Sequence, residues 1–196
     1  MSDLVDSARP RDLSDPRVIR ALAHPLRMSL LELLTVEGPR TATEAARQLG
    51  DSPSNCSFHL RQLEKYGYVE DSGEGTGRRR MWRVRFIGTA FRDLGAEDTT
   101  ATAAEELGEL WLRRQLDRWR EARRNLRRYP REWQEVTSTS ETVWWVTIEE
   151  QQQLEREISS LVARYRSRLK NPASRPEGAK PMEFVALSFP YWPPNE

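Results

Sequence analysis

The sequence predicts a mainly α fold with a small β component, and three observations carry that expectation. Apolar residues recur at helical spacing through most of the chain. Two short helical stretches are separated by a tight glycine turn at Gly50. After them, "YVEDSGEGTGRRRMWRVRF" gives two extended runs around a glycine-rich tip, the pattern of a β-hairpin.

The 196 residues suffice for one large domain or two small lobes with a core. At 37% hydrophobic and 31% charged, with mean hydropathy −0.77, the chain is polar but globular. No apolar run approaches the length of a membrane span, and "MSDLVDSARPRDLSDPR" lacks the hydrophobic segment of a secretory signal, so a cytoplasmic protein with no membrane partner is expected. A single cysteine excludes an intramolecular disulfide framework. Net charge is +1 overall but unevenly divided: residues 1–15 carry two arginines against four acids, and residues 16–85 carry twelve Lys and Arg against eight Asp and Glu, a net of +4. Such a cluster is often only a solvated face, and acquires meaning from the fold around it.

"DPRVIRALAH" reads as a first helix, with Asp15 or Ser14 before Pro16 as its start. His24-Pro25 breaks it, and Pro25 opens a second, "PLRMSLLELLTVEG", with Leu26, Leu30, Leu33 and Leu34 at helical spacing. Thr41 or Thr43 caps a third helix through Leu49, and Gly50 supplies the left-handed stop. Ser52 as cap and Pro53 at the first helical position open a fourth, which runs to about Tyr66. Helices three and four have the spacing of a helix-turn-helix. In the hairpin that follows, Trp82, Val84 and Phe86 share one face and Arg79, Met81, Arg83 and Arg85 the other.

Residues 87–100 read as a linker. Residues 101–128 read as a long charged helix, "ETVWWVT" as a short buried strand, and Thr147-x-x-Glu150 as the capping box of another helix with a Leu154, Ile158, Leu161, Tyr165, Leu169 stripe. "MEFVALSF" reads as a last strand. The expected organisation is a flexible segment at 1–15, a helix-turn-helix and hairpin domain at 16–86, the linker, and a dimerisation or effector lobe at 101–196.

In the fourth helix Cys56 and His59 lie one turn apart, a spacing that raises the question of a metal or thiol–imidazole site. Cys56, Leu60 and Leu63 fall on a single inward face, so Cys56 is most simply a small core residue. One cysteine and two histidines do not furnish a zinc ligand set, and a core-facing thiol is a poor nucleophile; no metal and no cofactor are expected. Ser54, Asn55, Ser57, Phe58, Arg61 and Lys65 occupy the other faces, and their types suit base edges and phosphates. Phe58 has an alternative role packing against the hairpin.

The stretches "ALAHPLRMSLLELL", "TATEAARQLGDSPSNCSFHLRQLEKYGYVE" and "GRRRMWRV" together resemble the winged helix-turn-helix of ArsR-like bacterial transcriptional regulators, across roughly residues 16–86. The resemblance makes His59 part of the helix framework and places His24 at a helix junction. It implies a homodimer on double-stranded DNA, two recognition helices entering successive major grooves of a palindromic operator, and a repressor's role. Ser54, Asn55, Ser57, Phe58, Arg61 and Lys65 are the candidates on the recognition helix. Thr41, Thr43, Arg78, Arg79, Arg80 and Arg83 are the candidates for the DNA backbone and the wing's groove. Metal-sensing members carry Cys-x-Cys where this chain has Thr41-Ala42-Thr43, which argues against thiophilic sensing. The carboxy-terminal part resembles, more loosely, a strand–helix–strand extension of some actinobacterial relatives. Six of seven tryptophans lie there; of these Trp111, Trp119, Trp144 and Trp145 suit core or interface, or else line an effector pocket. No phosphate loop, HExxH or nucleophile elbow is present, so no enzyme is expected; a protein-interaction module or an RNA-binding winged helix are the other readings.

Overall fold

The computed structural model describes residues 15–75, 79–85 and 98–192. Helix α1 (Pro16–Arg20) is capped by Asp15, whose carboxylate accepts from the Arg17 N–H at 2.8 Å. Helix α2 (Pro25–Glu37) follows. Strand β1 (Arg40–Thr41) leads into α3 (Ala42–Leu49), and α4 (Pro53–Lys65) comes three residues later. Gly50 closes that turn at φ +68°, a left-handed conformation that costs a residue with Cβ free energy. Strands β2 (Val69–Asp71) and β3 (Met81–Val84) complete a three-stranded antiparallel sheet in the order β1-β3-β2. The register sets Arg40 opposite Trp82, Val69 opposite Val84 and Glu70 opposite Arg83. Trp82 is accordingly buried and Arg83 exposed, as the alternation requires.

One core joins these elements. Ile19, Leu30, Leu34, Ala45, Cys56, Leu60, Leu63, Val69 and Trp82 are buried together, with Ala103 and Leu107 from the next helix. That helix, α5 (Asp98–Asn125), is the long charged helix expected from the sequence, and a 3-10 turn (Leu126–Arg128) ends it before Pro130. Its root therefore belongs to the amino-terminal core. Higher up, Arg114 clamps Glu32 of α2 through Nε at 2.8 Å and a terminal nitrogen at 2.6 Å, and bonds Ser29 at 2.7 Å. Arg118 also bonds Glu32 and reaches Glu183 at 2.6 Å. Burial opposes ionisation of Glu32, but the two guanidiniums prevail and hold its carboxyl below the usual range.

Beyond α5 lie a short helix α6 (Arg131–Glu135) and a long one, α7 (Ile148–Lys170), which opens on the capping box foreseen: Thr147 accepts from the Glu150 N–H, and Glu150 accepts from the Thr147 N–H. Two expectations fail here. "ETVWWVT" and "MEFVALSF" form no strand among the described residues, and both are exposed, Trp145 to 94%. β-propensity expresses a fit to a pleated, half-buried surface, and within a single chain neither segment finds a neighbouring strand.

His24 and His59 deserve joint description. His24 caps α2 by accepting the Leu26 N–H on Nδ1 at 3.1 Å, which requires an unprotonated nitrogen there. Its ring lies 4.3 Å from that of His59, centroid to centroid. Nδ1 of His59 and Nε of nearby Arg27 are buried without hydrogen-bond partners. Burial pushes both imidazoles below their ordinary value of 6.5; the Arg27 cation adds to this, while Asp51 pulls His59 the other way.

Two predictions follow from this packing. Leu60→Ala, at a fully buried position, is expected to lose about 2–5 kcal/mol in urea unfolding. Because the folded histidines bind protons more weakly than the unfolded chain, their contribution is whole above about pH 6.5 and declines as pH falls below it. Thermal melts between pH 5 and 8 should show that decline. His24→Asn, which keeps a good cap but cannot titrate, should flatten it; an unchanged profile would refute the assignment.

Candidate nucleic-acid interface

Helix α4 starts where its sequence dictates. Ser52 Oγ accepts the Asn55 N–H at 3.2 Å, and Pro53 sits at the first helical position, where a missing donor is harmless. Cys56, His59, Leu60 and Leu63 then point inward and are buried. The Cys56 thiol is fully enclosed and pushed up by burial, so it is a core group with no thiolate character. With the inner face fixed, Ser54, Phe58, Arg61 and Lys65 fall on one outward stripe, with Asn55 beside it; all five are exposed and Ser57 is half-buried. Phe58 is 55% exposed, so much of its ring faces outward, and it stands roughly perpendicular to the His59 ring 5.1 Å away.

Not all of these groups are equally available. The Asn55 amide donates to both oxygens of Asp51, at 3.0 and 3.2 Å, and this bond, with the Ser52 N–H, holds the Asp51 carboxyl below its usual range. The Asn55 carbonyl is left to accept. Lys65 leans over the Tyr66 ring at 5.5 Å. Arg61 bonds to no described residue and carries its charge into solvent.

At the start of α3, Thr41 is engaged by its own helix. Its hydroxyl accepts the Glu44 N–H at 3.2 Å and donates to the Glu44 carboxylate at 2.8 Å, and its N–H donates to the same carboxylate at 2.8 Å. An internal anion thus sits at this helix terminus, and Thr43, exposed, is the threonine left facing outward.

The wing arginines separate into two groups. Arg80 is a brace: it bonds Glu64 of α4 at 2.5 and 3.0 Å and Asp71 of β2 at 2.8 Å, and its guanidinium lies 4.4 Å over the Trp82 ring. Arg83 pairs with the cross-strand Glu70 at 2.8 Å, and Arg85 reaches the other oxygen of Glu70 at 3.3 Å. Arg79 is exposed and bonds to no described residue, and Arg78 lies outside the described residues. Gly75 lets the hairpin close: a Cβ there would stand 2.0 Å from the Arg79 carbonyl oxygen.

The four candidate tryptophans are not brought together. Trp111 is half-buried on α5, Trp119 is 47% exposed, and Trp144 and Trp145 lie on the exposed segment before α7. Three features of the interface escaped the sequence reading: the Asp51 lock on Asn55, the Glu64–Arg80–Asp71 brace and the Glu44 anion at α3. The first and third have local spacings that signal them; the brace joins residues 16 apart in sequence and does not. Among the described residues, no three or more His, Cys, Asp or Glu side chains are grouped to hold a metal ion, and no helix is long and apolar enough to cross a membrane.

Comparison with a family model agrees with the helix-turn-helix geometry. Residues 22–71 match the family model described as a helix-turn-helix domain. No curated protein matches the chain. Among solved structures, reduced HlyU from Vibrio cholerae is 18% identical, with 48% of this chain and 85% of that one covered and a TM-score of 0.31. The homodimeric winged helix-turn-helix DNA-binding domain Mb0332 from Mycobacterium bovis, described as a possible ArsR-family regulator, is 25% identical over 58% of this chain and 79% of that one, with a TM-score of 0.32. ZitR from Lactococcus lactis, as a C30AH42A mutant in apo form, is 16% identical over 73% and 83%, with a TM-score of 0.32. Residues 22–71 are thus similar to a helix-turn-helix domain, and the three-stranded antiparallel sheet packs beside it.

Proposed function

We propose that this protein is a transcriptional regulator that binds double-stranded DNA sequence-specifically as a homodimer and represses from a palindromic operator. The observation that carries the reading is the outward stripe of α4, where polar, aromatic and cationic side chains stand exposed above a fully buried inner face. Asn55 and Arg61 suit bidentate contacts with adenine and guanine, and Phe58 suits a thymine methyl. Ser54 and Ser57 add hydrogen bonds at the helix start, and Lys65 a phosphate contact at its end. Arg79, with Arg78, takes the flanking backbone or the minor groove; Thr43 takes a phosphate at the start of α3. Arg80 and Arg83 support these contacts by holding the wing to α4 and β2.

In this reading residues 16–86 read the DNA and residues 101–196 assemble the dimer. The exposed Trp144, Trp145, Leu161, Tyr165, Phe184 and Phe189 support assembly, because apolar surface on this scale marks an interface. Two copies related by a twofold axis place their recognition helices about one turn of DNA apart. The site of action is the cytoplasm, and no metal, cofactor or catalysis enters the scheme.

Fluorescence anisotropy against duplexes tiling the gene's own upstream region, over a salt series, tests this. One duplex should bind tightly at moderate salt. Asn55→Ala and Arg61→Ala should each weaken that complex about tenfold to a hundredfold and relax specificity. Arg79→Ala should weaken all duplexes alike and lower the salt slope by about 1. Weak, salt-labile binding to every duplex, unaltered by these changes, would leave only the generic phosphate attraction and overturn the reading.

A further inference from the structure

A cavity of about 610 Å³ lies between the first turns of α2 and the outer face of α5. Pro25, Met28 and Leu110 give it an apolar wall, and five arginines against two carboxylates give it a positive one. The volume is that of a small-molecule site. The arginines differ in what occupies them. Arg114 and Arg118 are saturated by Glu32, with Glu183 and Gln115 also on Arg118. Arg113 is held by Glu109 at 2.8 Å. Arg120 pairs with Asp117 at 3.2 Å, and Arg124 bonds to no described residue. The cavity thus presents an apolar wall together with Arg124, a cation with no counter-charge among the described residues.

We propose that this cavity binds an amphipathic organic anion, a carboxylate on an apolar body, with the head group on Arg120 and Arg124 and the body against Leu110, Met28 and Pro25. Charge complementarity selects the head and the apolar wall the body; a guanidinium grips a carboxylate through paired N–H donors. The site is also placed to report occupancy. Pro25 follows His24 directly, and the His24 ring rests 4.3 Å from His59 on the inner face of α4. A ligand wedged against Pro25 and Met28 displaces the first turn of α2, and with it the cap and the ring contact that seat the recognition helix. This coupling rests on the regulator reading above; the binding itself does not.

Calorimetry of the full chain with decanoate, without DNA, tests the site first. Saturable binding is expected, with decyltrimethylammonium, which has the same tail and the opposite charge, failing to bind. Arg124→Ala should weaken decanoate about tenfold or more, Leu110→Trp should block it, and Trp192→Ala, on the exposed carboxy-terminal segment, should leave it unchanged. Equal binding of the cationic amphiphile, or a loss confined to Trp192→Ala, would mean adsorption on exposed aromatics and overturn the site. Octyl phosphate and inorganic phosphate serve as further ligands: tighter binding of either than of decanoate would overturn the assignment to a carboxylate. The second arm repeats the duplex titration with decanoate present. Operator affinity should fall at least fivefold in the wild type and not in Leu110→Trp; unchanged affinity despite binding would refute the coupling. Absence of duplex binding in every condition would refute the regulator reading while leaving the calorimetric result intact.

Discussion

Burial of one face of α4 is the constraint on which the rest of the amino-terminal structure depends. Cys56, Leu60 and Leu63 are completely enclosed, and they share one core cluster with residues of α1, α2, α3, the sheet and the root of α5. A helix held on one side by so many elements has no rotational freedom left. The identity of its outward stripe is thereby decided by residues that never meet solvent, since a rotation of one residue would carry Arg61 or Phe58 into the core. Tyr68 extends the same logic to the wing, its hydroxyl donating to the Val18 carbonyl at 2.9 Å and pinning the start of β2 to α1.

Electrostatics then sorts the basic residues that sequence alone presents as one cluster. Glu64, Asp71 and Glu70 each take a wing arginine, and these exposed pairs fix geometry more than they add stability. Among the described residues, Arg61 on the helix and Arg79 on the wing are left with no acidic partner, and Lys65 leans on the Tyr66 ring instead. The Asp51 carboxylate likewise engages a polar group, since the Asn55 amide would have to give up two bonds there before donating to any other partner.

The amino-terminal half was legible in the sequence to a high degree, and the reason lies in its punctuation. Pro16, Pro25 and Pro53 open helices, Gly50 closes one, and Thr41 and Ser52 cap; each is a local signal with a local consequence. Cys56 was assigned to the core from spacing alone. The candidate site was legible as a helix face, but the division of labour within it was not. Whether Arg80 or Arg79 is free depends on Glu64, sixteen residues away, and whether Thr41 is free depends on which rotamer Glu44 adopts. In the carboxy-terminal half the apolar runs around Trp144 and Phe184 have a composition that fits strands. A strand is completed by its neighbour, and the single chain provides these segments with none. The ties between α2 and α5 through Glu32 span more than eighty residues and left no trace in any local pattern.

The rooting of α5 has a mechanical side. Ala103 and Leu107 anchor the helix in the core, and eighteen residues separate Leu107 from Asn125. At 1.5 Å per residue that span is about 27 Å of stiff rod. A tilt of about 5° at the anchored end would swing the far end by roughly 2 Å, a displacement comparable with the interface shifts by which assemblies change state. The helix is therefore a lever whose fulcrum lies on α1 within the core cluster that also holds the inner face of α4, so whatever loads its distal end is felt first in the amino-terminal core.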